Sequence, residues 1–128
     1  MILEDKMFSS YAVKDPTEAK KFYADTLGLE VTEDTDPEMA GLLHLAAGRV
    51  MIYPKPDHTP ATFTVLNLPV DDIKATAAEL IAKGVTFEHY DNEWIKTDVQ
   101  GIAEQGPNRK MAWFKDPSGN ILGLIQGG

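Results

Sequence analysis

Few residues in this chain have the type and spacing for chemistry. Three histidines, His44, His58 and His89, are the chain's imidazoles, the side-chain type suited to acid–base work and metal ligation. They show neither the i, i+4 spacing of a helical metal pair nor the i, i+2 spacing of a strand pair, which fits scattered surface positions. His44 differs in one respect. It lies between Leu43 and Leu45 in a stretch that reads as a strand, so it points away from both. A lone acid or base is the chemistry it offers. Asp71-Asp72 looks like a carboxylate pair, but Asp72 stands where a helix N-cap belongs, and capping accounts for it. Glu88, Asp91 and Glu93 form an acidic cluster that suits a solvated face or, alternatively, a cationic ligand. With no cysteine there is no thiolate nucleophile, disulfide or zinc–thiolate site. Neither a phosphate-binding Gly-x-x-x-x-Gly-Lys-Ser/Thr loop nor a Gly-x-Ser-x-Gly nucleophile elbow occurs.

The elements that must position these residues read clearly. Met7 to Lys14 alternates like a strand. Asp15-Pro16-Thr17-Glu18 then has the form of a helix start, with Asp15 as N-cap and Pro16 at the first helical position. Ala19, Phe22, Tyr23 and Leu27 recur at helical spacing, and Gly28 ends the run. Leu29–Glu33, Gly41–Ala46 and Arg49–Tyr53 read as strands. Asp34–Met39 reads as a loop and Ala47-Gly48 as a turn. Pro54–Pro60 holds three prolines in seven residues and reads as a linker.

The pattern then repeats. Thr62–Leu68 is a strand, Asp72 a cap, and Ile73, Ala77, Leu80 and Ile81 a helical stripe closed by Gly84. Val85–His89 is a strand. Arg109–Lys115 and Asn120–Gln126 flank Asp116-Pro117-Ser118-Gly119, a strong hairpin signal. Val13 maps to Val70 at an offset of 57, and Met51 to Gly123 at 72. The extra 15 residues fall in Tyr90–Pro107, which carries Trp94, Gly101 and Gly106 and is expected to act as a lid. The organisation is one domain, 1–128, built of two βαβββ modules, 6–55 and 61–127. Each module covers one sheet face with its helix and leaves the other face in need of a partner.

Three stretches in this order, Phe22-Tyr23-x-x-x-Leu27-Gly28, Val70-Asp71-Asp72 and Asp116-Pro117-Ser118-Gly119-Asn120, resemble the glyoxalase/bleomycin-resistance/extradiol-dioxygenase group, the vicinal oxygen chelate (VOC) superfamily. The resemblance covers nearly the whole chain. It implies an α+β fold in which two βαβββ modules form an open, curved, barrel-like sheet of eight strands around a cleft. The modules pair within one chain or swap between two. Metal-dependent members hold a divalent ion with His, Glu or Gln from strands one, four, five and eight. The corresponding positions here are Phe8, Met51, Val65 and Gly123, none of which can ligate such an ion, and a slip of one residue restores no ligand. No metal and no other cofactor is expected.

Alternation places Phe8, Ser10, Met51, Tyr53, Phe63, Val65, Asn67 and Ile125 on the cleft face, with Trp94 and Trp113 as added stacking surface. Two readings follow. In one, the protein is a metal-free binder of a planar or partly aromatic small molecule, of the sequestration or resistance type, and a homodimer. In the other, it is a VOC enzyme, a glyoxalase-like lyase or isomerase or a dioxygenase, with a non-standard site. The residues favour the first. A net charge of −8 argues against nucleic acid as a partner. No apolar run is long enough for a membrane span. Met1–Lys6 is too short and acidic for a signal peptide, so a cytoplasmic protein is expected.

Overall fold

A computed structural model describes residues 1–127. Its two compact units divide between Thr59 and Pro60, inside the proline-rich segment. The fold is α+β, with two four-stranded sheets that stay open rather than closing into a barrel.

The first unit runs β1 (Ser9–Val13), α1 (Pro16–Lys21), β2 (Thr32–Glu33), β3 (Leu43–Leu45) and β4 (Val50–Pro54), ordered β1-β4-β3-β2 in the sheet. β1 pairs in parallel with β4, and the other pairs are antiparallel. Asp15 Oδ1 accepts from the amides of Thr17 and Glu18, so two of the orphan donors at the start of α1 are capped. α1 then widens into a π-helical turn, Phe22–Thr26, with Leu27 N donating to Phe22 O. Ala19 and Tyr23 are buried, and Phe22 and Leu27 half-buried. The Tyr11 hydroxyl donates to that of Tyr23 at 2.8 Å, so the helix-facing side of β1 carries Tyr11. Val13, Leu43, Leu45 and Ile52 share that buried side. Gly28 ends the turn at φ +71°, a conformation that costs any other L-residue. The strand expected over Leu29–Glu33 shortens to Thr32–Glu33.

The second unit runs β5 (Thr64–Pro69), α2 (Ile73–Ala82), β6 (Ile102–Glu104), β7 (Lys110–Lys115) and β8 (Ile121–Gln126), ordered β5-β8-β7-β6. Asp72 caps α2 through the Ala75 amide. Gln126 Oε1 accepts from Ile73 N, which ties the helix start to the end of β8. Ile73, Ala77 and Leu80 are buried against the sheet. Ile81, expected in that stripe, is exposed. Leu122, Leu124, Ala112 and Phe114 complete the core on the helix side. In the β7–β8 turn, Asp116 is buried and accepts from the amides of Ser118 and Asn120 and from Asn120 Nδ2.

The edge strand of this sheet differs from expectation. Val85–His89 forms no strand. Phe87 makes a single bridge to Phe114, and Glu88 N donates to Trp113 O. The chain then leaves the sheet and returns as β6 to pair with β7 through Ile102–Ala112 and Glu104–Lys110. The inserted residues therefore split one edge into two contacts. Gly101 (φ +90°) closes the excursion. An added Cβ would lie 2.9 Å from Phe87 Cβ and 3.1 Å from Glu88 O, so only glycine lets the outgoing and returning segments cross.

Candidate functional site

In each unit the face away from the helix carries part of the predicted set: Ser10, Met51 and Tyr53 in the first, and Asn67, Gly123, Trp113 and Ile125 in the second. In the first unit the register sets Ser10 beside Met51, Met51 beside His44 and His44 beside Thr32, one row across the sheet. Ala12 and Tyr53 form the next row. Met51, Tyr53 and His44 are half-buried and Ser10 is exposed. Phe8 lies just before β1, outside the ladder, and is exposed.

His44 is the residue whose environment the sequence did not reveal. Its Nε2 lies 3.1 Å from Asp34 Oδ2, and both side chains keep partial access to water. The Asp36 amide, which donates to Asp34 Oδ1, and then the His44 hydrogen bond hold the Asp34 carboxyl below its usual range. Strand alternation identified the face of His44. The partner could not be foreseen, because Asp34 lies in a loop of unspecified path.

In the second unit the row is Asn67, Gly123 and Trp113, with Pro69, Ile125, Met111 and Ala103 beside it. An added Cβ on Gly123 would come 2.8 Å from Asn67 Oδ1 and 3.6 Å from Trp113 Cδ1, so the two side chains close over the glycine. Trp113 is buried and offers little stacking surface. Tyr90 meets it edge-on, with centroids 5.5 Å apart. Burial, with Glu88 nearby, raises the Tyr90 hydroxyl above its usual value. A bulge between Thr64 and Leu66 interrupts the alternation that assigned Phe63 and Val65 to this face. Thr64 instead approaches Gly123, with its Cγ2 3.4 Å from an added Cβ. Val65 is half-buried in the bulge, and Phe63 is exposed ahead of the strand.

Trp94 does not join Trp113. It is 80% exposed at the tip of a small hairpin and lines a groove of about 650 Å³ with Lys74, Ile102, Glu104 and Lys110. Lys74 belongs to α2, so this groove is on the helix side of the sheet. The expected grouping of Trp94 with Asn67 and Ile125 is thus corrected. The inserted chain starts beside Trp113, but its tip folds round the β6 edge.

A family metal does not fit the donor set. Met51 offers a thioether, Ser10 and Thr64 hydroxyls, and Gly123 nothing. His44 is the one imidazole in either row, and its Nε2 is engaged. Among the described residues no three His, Cys, Asp or Glu side chains converge. No helix among them is long and apolar enough to cross a membrane.

Comparison with known proteins places this geometry. No curated protein matches the chain. Among solved structures, TnmS3, an antibiotic binding protein from Streptomyces sp. CB03234, shares 24% identity over 94% of this chain and 95% of its own, with a TM-score of 0.61. A superfamily member from Sphaerobacter thermophilus shares 24% identity over 94% and 95%, with a TM-score of 0.63. The fosfomycin resistance protein FosX from Listeria monocytogenes superposes at a TM-score of 0.68 with 14% identity over 94% and 89%. The family model described as Glyoxalase/Bleomycin resistance protein/Dioxygenase superfamily matches residues 8–124. The chain belongs to that superfamily.

Proposed function

We propose that this protein binds a small planar or partly aromatic organic molecule without a metal, as a sequestering or resistance-type member of its superfamily. Each sheet offers such a ligand its own set of side chains: Ser10, Met51 and Tyr53, with Phe8, in the first unit, and Asn67, Ile125 and the edge of Trp113, with Phe63 and Val65, in the second. Such mixed apolar and polar linings hold small ligands by burial and orient them by a few hydrogen bonds. The observation that carries the metal-free reading is Gly123. The eighth-strand position has no side chain, and Asn67 and Trp113 occupy the space where a carboxylate would stand. TnmS3, an antibiotic binding protein, supplies a precedent for binding in a similar fold. A cytoplasmic homodimer completes the proposal, with a sedimentation mass twice that of one chain. Equilibrium dialysis with metal analysis tests the core claim. No stoichiometric nickel, zinc, iron or manganese is expected, and a tightly held ion at one per chain would overturn it.

A second reading rests on His44. With Asp34 accepting from Nε2–H, Nδ1 is left free to accept a proton, so the first sheet carries an oriented base. Any turnover found in a substrate screen should then vanish in His44→Asn while binding persists. Turnover unchanged in that variant removes the reading.

A further inference from the structure

We infer that the groove on the helix side of the second sheet is a separate binding site for a small aromatic zwitterion. It goes beyond the function proposed above, since it shares none of the residues named there. Its volume of about 650 Å³ lies within the range of ligand pockets.

The first argument is Trp94. Its backbone is pinned. The Trp94 amide and that of Ile95 both donate to Asn92 Oδ1 at 2.9 Å, and Gln105 Nε2 donates to the Trp94 carbonyl at 3.3 Å. The hairpin beneath is closed by Thr97 N donating to Tyr90 O. Yet the indole is 80% exposed at the groove wall. A large apolar ring exposed on a pinned backbone offers a flat face on which an aromatic ligand can stack.

The second argument is charge. Lys74, Lys96 and Lys110 line the groove with Glu93 and Glu104. Glu104 and Lys110 stand opposite each other in the β6–β7 ladder, yet among the described residues none of these five forms an ion pair. The remaining carboxylate, Asp98, is turned to its own loop and accepts from the amides of Gln100 and Ile102. Uncommitted charges of both signs around an aromatic plane match a ligand with an acidic group, a cationic group and a flat body. Its acid would meet the lysines, its ammonium Glu93 or Glu104, and its ring Trp94. A simple anion would gain the lysines but face the two glutamates.

Three probes of one size separate these cases: 4-(aminomethyl)benzoate, 4-methylbenzoate and benzylamine. Each is titrated into the full chain while the Trp94 indole N–H resonance, assigned by its loss in Trp94→Phe, is followed by NMR. The zwitterion is expected to give a saturable shift with an affinity about 3-fold or more above either single-charge probe, the scale of one exposed charge pair. The double substitution Glu93→Gln with Glu104→Gln, and the triple substitution Lys74→Gln, Lys96→Gln and Lys110→Gln, are each expected to abolish that advantage. No saturation by the zwitterion, equal affinities for the three probes, or an advantage that survives both substitutions would overturn the inference.

Discussion

The two sheets share one strand order, β1-β4-β3-β2 and β5-β8-β7-β6, and in each the end strand, β1 or β5, pairs in parallel with its neighbour. They differ at the edge and at the turns. The first edge is a single short strand, and the loop beyond it supplies Asp34 to His44. The second edge is interrupted, and the excursion supplies Tyr90 to one side of the sheet and Trp94 to the other. The final turns differ too. Asp116 braces the second by accepting from the Ser118 and Asn120 amides and from Asn120 Nδ2, whereas the first passes through Ala46 and Ala47 at φ +52° and +55° with no side-chain cap. One architecture thus presents two different sets of side chains, because edges and turns vary more freely than paired strands.

The largest test of that contrast is in the core. Phe114→Ala is expected to cost about 3–5 kcal/mol in urea unfolding. Because the Phe114 ring packs on Phe87 at 5.3 Å, it should also loosen the excursion, seen as faster exchange of the Glu88 amide. Gly101→Ala comes next, at about 2–4 kcal/mol, since it combines a left-handed backbone with a close contact. Gly28→Ala, left-handed with open space around it, should cost only about 1 kcal/mol. Equal costs in thermal melts would mean that the crossing at Gly101 is unimportant. Asp116→Ala orphans buried donors and should cost about 1–3 kcal/mol, a loss with no counterpart in the first unit.

Ala47→Gly should act in the opposite direction and raise stability by about 0.5–1 kcal/mol, because the left-handed strain is relieved. The smallest effect concerns pH. The Asp34 carboxyl is held below its usual 3.8 in the folded chain. Its contribution is therefore present above that value and lost as pH falls through the lower, folded one. Asp34→Asn should lower Tm near pH 6, and its difference from the parent chain should shrink towards about pH 3. A difference that stays undiminished well below the ordinary carboxylate range would contradict the hydrogen bonds from the Asp36 amide and His44 that favour the ionised Asp34.

Local signals were reliable wherever the physics is local. Asp15 and Asp72 cap helices because a short carboxylate reaches the free amides of the next turn. Asp116-Pro117-Ser118-Gly119 makes its turn, and Gly119 takes φ +87°. Alternation assigned Ser10, Met51 and Tyr53 to one face, and the ladder sets Tyr11 and Ile52 on the other. It failed at Val65, because one bulged residue resets a period of two. It also misread Val85–His89, where β propensity was satisfied by a single bridge once Ile102–Glu104 took the remaining edge of β7.

By itself the chain's order of residues determined the caps, the two hydrophobic periods, the repeat and the side-chain types, Phe8, Met51, Val65 and Gly123, at the positions compared with the family's metal ligands. These depend on neighbours within a turn or two, or on side-chain identity alone. Tertiary structure decided that His44 meets Asp34, that Trp113 is buried beneath Tyr90, and that Trp94 stands over a charged groove on the opposite side. Each of those depends on the path of a loop, which is set by where its ends are anchored and by what it must not strike, such as Phe87 beside Gly101.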